Sequence, residues 1–323
     1  MFTLFRLALA MLFAVHAAGT PAAEAYPHKA LRIVHGYPGS SSETNARHIA
    51  QRLTELLGQQ IIVEGRPGAT GTIAADFVAK SAPDGYTLLA SPSSVLGSTP
   101  HLRKVPFNPL RDFAPVAPIG TFSFLLVAHP SVPAKNAREL IALAKSRKAA
   151  MTYSTTGVGS AYHLATVMFA LQAGVELLHV PYGTSGSSAM VDLIAGRTDL
   201  GMNSPVFLLP MVRAGKLRAI GITGSQRMAS AMDIPTIAES GLPGYDLSGW
   251  QGLLAPADTP REIIAQLNAA VHKALASPDL RRIWAEAGLE IVTWSPEQFS
   301  TRLRDDYERY GRLIQKIGSG IEQ

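Results

Sequence analysis

The sequence predicts an α/β fold in which two lobes with mainly parallel sheets are joined by two crossovers, as in a clamshell. Three observations predict it. Short apolar runs alternate with helical patterns almost throughout, a glycine closes many of the helical patterns, and two turn-rich segments set a central block apart. Hydrophobic residues make up 47% of the 323 residues, which is enough for a large core. Two sequential domains are the alternative.

The first lobe begins with a β-α-β-α-β order. Apolar runs predict strands at 31–35, 61–64 and 87–90, and helical patterns predict helices at 44–57 and 71–80. The connections between them are rich in Gly, Pro, Ser and Asp, which are typical of turns. Strands that alternate with helices in this way are expected to pair in parallel.

Two segments are predicted to carry the chain between the lobes. Residues 105–133 contain six prolines around a buried strand at 122–128, and residues 233–249 are rich in turn residues before a strand at 251–255. An apolar strand at each crossing favours one lobe inserted into the other. The predicted boundaries are a signal peptide at 1–25, a first lobe at 26–122 and 250–323, and a second lobe at 123–249.

The second lobe repeats the alternation, and three helices follow it. Its predicted helices lie at 136–145, 160–173, 187–195 and 207–214, and its predicted strands at 151–154, 176–180, 200–203 and 217–223. A glycine follows several of these helices, where the left-handed conformation favours it. The C-terminal helices are predicted at 260–276, 278–287 and 296–317, each with a proline near its first turn.

The N-terminus has the pattern of a cleaved export signal. Arg6 precedes the apolar run 7–15, and small residues then lead to Ala23-Glu24-Ala25, a typical cleavage site. The apolar run is shorter than the roughly 20 residues that a membrane-spanning helix needs. We therefore expect cleavage near Ala25 and a soluble mature protein in the periplasm.

Composition argues against several classes of function. The chain has no cysteine, so disulfides, thiol catalysis and cysteine metal sites are excluded. Its net charge of +5 is scattered without a basic stripe, so nucleic-acid binding is not expected. The nine histidines show no metal spacing, and no P-loop or G-x-S-x-G motif is present. We expect no metal, no cofactor and no enzyme activity, although a Ser-His-Asp triad could assemble in space.

Two Gly- and Ser-rich loops are the main candidate site. Each leaves a short strand and opens a helix, which places free backbone N–H groups and hydroxyls where a small anion binds. If the two loops face each other across the lobes, they form a clamp. The candidate ligand-binding residues in the loops are Tyr37, Pro38, Gly39, Ser40, Ser41, Ser42 and Glu43 in the first, and Thr155, Thr156, Gly157, Ser160 and His163 in the second.

Residues at the ends of other strands are further candidates, because ligands of open α/β sheets bind at the carboxyl ends of strands. Capping, turn formation or packing is the structural alternative for each of them. Trp250, near the return crossing, is expected to pack at the hinge. The strand-end candidates are Ser91, Ser93 and Ser94 in the first lobe, and Tyr182, Asn203 and Ser204 in the second.

Several short motifs in a fixed order resemble one family over almost the whole mature chain. The chain is similar to the periplasmic solute-binding receptors of tripartite tricarboxylate transporters, the Bug receptors. The motifs that carry the resemblance are Val63-Glu64-Gly65-Arg66-Pro67-Gly68-Ala69, Ala82-Pro83-Asp84-Gly85-Tyr86-Thr87, Pro130-Ser131-Val132-Pro133, His179-Val180-Pro181-Tyr182, Ala214-Gly215-Lys216-Leu217-Arg218 and Ile234-Pro235-Thr236-Ile237-Ala238-Glu239-Ser240-Gly241-Leu242-Pro243-Gly244.

The resemblance implies a type II periplasmic-binding-protein fold and capture of a small carboxylated solute between the lobes. It also implies delivery of that solute to the permease subunits of a tripartite membrane transporter. The chain departs from the family pattern at Glu43, where Asp is usual, at Gly183, where Lys is common, and at Asn203-Ser204, where Asp-Asn is frequent. A dicarboxylate, an amino acid and an aromatic acid all remain open as ligands.

Two other functions remain open at this stage. A loop serine could serve a hydrolase, or the same binder could report its ligand to a membrane sensor instead of a permease. For a mobile clamshell, a monomer is the expected state.

Overall fold

The computed structural model describes residues 26–155, 157, 160–182 and 186–317. The predicted signal peptide and Thr156 lie outside the described residues. The strands are β1 (Leu31–His35), β2 (Ile61–Gly65), β3 (Thr87–Pro92), β4 (Phe113–Phe122), β5 (Leu125–Ala128), β6 (Met151–Thr155), β7 (Leu177–Pro181), β8 (Leu200–Asn203), β9 (Arg218–Ile222) and β10 (Gly249–Pro256).

Helices cover both faces of the strands, and short 3₁₀ turns occur at Ala69–Gly71 and Ala229–Ala231. No helix within the described ranges has the length and apolar character of a membrane span. The helices are α1 (Ser41–Leu57), α2 (Thr72–Ala79), α3 (Ser93–Leu96), α4 (Thr99–Leu102), α5 (Ala137–Ser146), α6 (Ala161–Ala173), α7 (Gly186–Ile194), α8 (Pro205–Arg213), α9 (Ile237–Ser240), α10 (Arg261–Leu275), α11 (Pro278–Glu286) and α12 (Pro296–Ile317).

The described strands form two five-stranded sheets, and each sheet with its helices makes one lobe. The order in the first lobe is β2-β1-β3-β10-β4, and the order in the second lobe is β7-β6-β8-β5-β9. The chain passes to the second lobe between β4 and β5 and returns between β9 and β10. The predicted α/β two-lobe fold is therefore present.

Both sheets are mixed, whereas the alternation of elements predicted mainly parallel pairing. β1 pairs in parallel with β2 and β3, but β10 is antiparallel to both β3 and β4. In the second lobe, β6 pairs in parallel with β7 and β8, and β5 is antiparallel to β8 and β9. The strands that run against the others, β5 and β10, follow the crossovers. They enter their sheets without a βαβ connection, so nothing requires them to be parallel.

Strand β4 is absent from the sequence prediction, which treated residues 105–133 as a crossing with a single strand at 122–128. The structure instead has β4, a break at Ser123 and Phe124, and then β5. Pro115 and Pro118 lie within β4. They are tolerated because β4 is an edge strand that pairs with β10, and the register shifts twice along that pair.

The C-terminal helix α12 packs on both lobes. Its first half places Phe299 and Leu303 in a core of the first lobe, with Trp250 and Leu254. Its second half places Tyr310 and Leu313 in the core of the second lobe. The helix therefore lies across the crossovers, whereas the sequence assigned it to the first lobe.

A charged cluster fixes α12 to the segment that returns from the second lobe. Asp306 has no exposed surface and accepts hydrogen bonds from Trp250 Nε1 at 2.8 Å and from Arg302 Nε at 3.0 Å. Arg302 also donates to the carbonyl of Ser248 at 2.9 Å. We call this cluster the hinge network, and its members are Asp246, Ser248, Trp250, Arg302, Asp306 and Arg309.

Candidate functional site

A cleft of about 390 Å³ lies between the two lobes. The first lobe lines it with Ser41, Ser42, Asn45, Pro92, Gln251, Ala287, Gly288 and Leu289. The crossover and the second lobe line it with Phe122, Ser123, Phe124, Tyr162, Ser204, Val206 and Phe207. Among these described residues there is no Lys, Arg, Asp or Glu, so the polar groups of the cleft are hydroxyls, amides and the backbone.

The polar groups of the first loop bind one another. Ser40 is the N-cap of α1, and its hydroxyl accepts a hydrogen bond from the N–H of Glu43 at 3.3 Å. The Glu43 carboxylate accepts from the N–H of Gly39 at 2.6 Å and pairs with Arg47. These donors hold the pKa of Glu43 below its usual range, the backbone bond from Gly39 contributing most.

The start of α1 presents donors to the cleft. Ser41 and Ser42 occupy the first turn, where backbone N–H groups have no acceptor within the helix. The helix dipole adds partial positive charge at the same point. An anion at this end of the cleft would therefore be held without a cationic side chain.

Gln251 holds the start of α1 against β10. Its amide nitrogen donates to the carbonyl of Ser42 at 2.6 Å and to the Ser42 hydroxyl oxygen at 2.8 Å. Its amide oxygen accepts from Asn45 Nδ2 at 3.0 Å. Both sides of the Gln251 amide are thus engaged within the protein. Because the Ser42 hydroxyl accepts one of these bonds, its own proton remains free to point at a ligand.

Two helix N-termini reach the cleft from the second lobe. Tyr162 lies in the first turn of α6, whose N-cap Ser160 accepts from the N–H of His163 at 3.2 Å. Ser204 precedes α8, and its side chain makes no capping bond. The cleft therefore has helix N-termini on opposite walls, α1 on one side and α6 and α8 on the other.

Few of the predicted site residues line the cleft directly. Ser41, Ser42 and Ser204 do so. Tyr37, Pro38, Gly39 and Ser40 form the loop behind them, with the Tyr37 hydroxyl donating to the carbonyl of Thr70 at 2.7 Å. Glu43 is held by that loop, as described above.

The serines after β3 are engaged inside the first lobe. Ser91 is buried and donates to the carbonyl of Pro92 at 3.0 Å. The Ser93 hydroxyl accepts from the N–H of Trp250 at 3.4 Å, and Ser94 hydrogen-bonds to Tyr37. All three stabilise this edge of the sheet without lining the cleft.

The remaining second-lobe candidates lie beside the cleft. Thr155 and Asn203 line a separate cavity of about 10 Å³. The Thr155 hydroxyl accepts from the N–H of Gly157 at 3.1 Å and lies 2.7 Å from His179 Nε2. Tyr182 donates to Asp192 at 2.6 Å. The second loop thus contributes to the cleft through the helix that it opens, since its own described residues are engaged elsewhere.

Several cleft residues were not among the sequence candidates. Gln251 had a signal, because it is the single polar side chain in the apolar run 250–255. Phe207 and Tyr162 had no such signal, because an aromatic residue in a predicted helix is usually interpreted as part of the hydrophobic core. The cleft residues absent from the prediction are Asn45, Pro92, Phe122, Ser123, Phe124, Tyr162, Val206, Phe207, Gln251, Ala287, Gly288 and Leu289.

Three aromatic rings stack on one another next to the second loop. The ring of His179 lies 4.8 Å from that of Tyr153 and 4.3 Å from that of His163, measured between centroids. His163 is 6% exposed. Burial, with the neighbouring His179, lowers the pKa of His163 to about 4. No group of three His, Asp or Glu suited to a metal occurs in the part of the chain that is described.

This histidine should make the fold less stable in acid. An unfolded histidine has a pKa of about 6.5, so between pH 6.5 and 4 the unfolded chain binds more protons than the folded one. The stability that this group contributes is complete above pH 6.5 and is lost as the pH falls, by at most about 3.4 kcal/mol at 1.36 kcal/mol per pH unit. Urea unfolding at pH 7, 5.5 and 4 measures the loss.

His163→Phe should flatten that pH profile, because phenylalanine keeps a ring in the stack but cannot bind a proton. His129→Phe, at a half-buried histidine outside the stack, is the control and should keep the wild-type slope. An H163F profile as steep as the wild type would contradict the assignment.

Comparison with known proteins gives consistent matches along the chain. The family model described as tripartite tricarboxylate transporter family receptor matches residues 45–319. Protein BugT of Bordetella pertussis is 33% identical over 303 residues, which cover 93% of each chain. The solved structure of R. palustris Rpa4515 with adipate is 31% identical, with a TM-score of 0.69, and covers 90% of this chain and 97% of that one.

A solute-binding protein of the TctC type from Polaromonas, solved without ligand, superposes with a higher TM-score. The score is 0.82 at 25% identity, and the match covers 90% of this chain and 99% of that one.

Proposed function

Because the chain belongs to the tripartite tricarboxylate transporter receptor family, we propose that it captures a small carboxylate in its cleft and delivers it to a tripartite membrane transporter. The family resemblance inferred from the sequence motifs is confirmed by the family match and by BugT. The members of this family are periplasmic binding proteins, and we propose the same location for the mature chain.

One observation carries the proposal. The N-termini of α1, α6 and α8 meet across a cleft whose lining holds no charged side chain among the described residues. Such a cleft attracts an anion through backbone dipoles and hydroxyls, and it offers a cation no partner. The adipate in the related structure is a ligand of the class that this arrangement would bind.

Simple energetics supports the proposal. A hydrogen bond to a charged group contributes about 1.5–3 kcal/mol, and micromolar affinity corresponds to about −8 kcal/mol. About five such bonds, shared between the two walls, reach that value after the cost of ordering the ligand and closing the lobes. First-turn amides and the hydroxyls of Ser41, Ser42 and Ser204 supply enough donors.

Binding is tested by thermal unfolding with a panel of carboxylates. A ligand at 100 times its dissociation constant stabilises the native state by about 2.7 kcal/mol, which raises Tm by several degrees. The methyl esters of the same acids are the control and should give no shift, because they lack the charge. If no carboxylate in the panel raises Tm, the proposal is wrong.

Delivery is tested separately. The tagged, ligand-loaded protein is incubated with membranes from the source bacterium, crosslinked and purified. Recovery of transporter subunits supports transport, and recovery of a sensor kinase in their place would contradict it.

A further inference from the structure

We propose that the solute of this cleft is an aromatic carboxylate, and that the cleft disfavours hydroxylated acids of equal charge. The inference rests on the proposed function and names the class of ligand that the same cleft would take. It depends on three features of the cleft: its aromatic content, its exposed apolar side chains and the position of its polar groups, most of which lie at helix N-termini.

Aromatic side chains are concentrated in the cleft. Four of its fifteen lining residues are aromatic, against 7% of the whole chain. Three of them form a continuous series: the ring centroids of Phe122 and Phe124 lie 5.8 Å apart, and those of Phe124 and Tyr162 lie 5.0 Å apart in an edge-to-face arrangement. These separations are the ones at which aromatic pairs attract, so a ligand ring placed against Phe122 would extend the series.

The rim of the cleft exposes large apolar side chains at the start of α8. Phe207 is 63% exposed, whereas its neighbours Leu208 and Leu209 are buried in the core of the second lobe. Val206, which is 41% exposed, lies against Gly288 of the first lobe, where a Cβ would approach its Cγ2 to 2.7 Å. Exposed apolar groups that line a cavity and are contacted from both lobes indicate a site for an apolar ligand body.

The polar side chains of the cleft lie mainly at helix N-termini, where carboxylates are expected. Ser204 precedes α8, and Tyr162 lies in the first turn of α6. The Gln251 amide is engaged on both sides by Ser42 and Asn45. Ser41, Ser42 and the first-turn amides lie at the α1 end, where the carboxylate is expected. A ligand hydroxyl placed against Phe122, Phe207 or Leu289 would lose its hydrogen bonds to water without replacement.

The test compares acids of equal charge. Isothermal titration of the wild-type protein measures affinity for benzene-1,4-dicarboxylate and tartrate, both doubly charged, and for benzoate and lactate, both singly charged. The aromatic acid should bind at least tenfold more tightly in each pair. Tighter binding of tartrate or lactate overturns the inference and leaves the proposed function intact. Failure of both aromatic acids to bind also overturns the inference, and the wider carboxylate panel then decides the proposed function.

One substitution tests whether Phe207 gives the preference for aromatic acids. Phe207→Ala should weaken benzene-1,4-dicarboxylate about tenfold and leave tartrate unchanged, because only the aromatic acid packs on that ring. Leu178→Ala is the matched control: Leu178 is 57% exposed but lies on β7, outside the cleft, and its loss should change neither affinity. Equal losses for both acids in F207A, or none for the aromatic acid, would overturn the inference. Since Phe207 is exposed, the apo Tm should stay at the wild-type value.

Discussion

Replacing Asp306 by alanine is expected to lower the free energy of unfolding by about 3–5 kcal/mol, the cost of removing one partner from a buried ion pair. Asp306 has no exposed surface, and the side chain of Arg302 is only 18% exposed. The substitution removes the carboxylate that accepts hydrogen bonds from Trp250 Nε1 and Arg302 Nε. The loss should exceed that of a surface ion pair, because the groups that remain are largely shielded from water.

Urea denaturation of the purified protein measures this loss. Asp305→Ala is the control, because Asp305 is the exposed neighbour on the same helix and its substitution should change stability by less than about 0.5 kcal/mol. Asp306→Asn should fall between the two, since an amide oxygen still accepts from Trp250. A loss below about 1 kcal/mol in D306A would show that the network adds little to stability.

Replacing Ser42 by aspartate is expected to weaken carboxylate binding at least 100-fold, or about 2.8 kcal/mol at 1.4 kcal/mol per decade. The new carboxylate would stand in the first turn of α1, where it competes with the ligand for the backbone N–H groups and repels it. The fold should persist, because an acidic residue in the first turn is favoured by the helix dipole. The S42D variant should therefore lose affinity for the ligand and keep its stability.

The control places the same charge at another helix start. Ser295 precedes α12 and does not line the cleft, so Ser295→Asp should leave affinity within about twofold of the wild type. Calorimetry with the tightest acid of the panel gives the affinities, and thermal unfolding confirms that both variants fold. If S42D binds as the wild type does, the carboxylate does not lie at the start of α1.

The two-lobe fold was predictable because its signals are local. Short apolar runs, helix periodicity and glycines past helix ends each report on a few neighbouring residues, and most observed elements start or end within three residues of the predicted ones. β4 was missed because Pro115 and Pro118 are read as strand breakers, and only the sheet order shows that β4 is an edge strand. The antiparallel direction of β5 and β10 likewise follows from the crossovers and has no local signal.

The site was predictable in outline and less so in detail. Serines after a strand and before a helix indicated the α1 N-terminus, and Ser41 and Ser42 line the cleft. The same pattern could not show that Glu43 binds Gly39 and Arg47, because that choice depends on side-chain geometry. Phe207 could not be found, since an apolar residue in an amphipathic helix carries no mark of the surface that it faces.

The central position of β10 in its sheet bears on the order in which the chain is made. Every strand of the second lobe has been synthesised by residue 222, so that sheet can assemble while translation continues. The sheet of the first lobe cannot assemble at that point, because β3 and β4 both pair with β10, which is complete only at residue 256. Nascent chains should therefore pass through an intermediate in which β3 and β4 each expose an unpaired edge. Truncation or slow elongation at this intermediate favours aggregation.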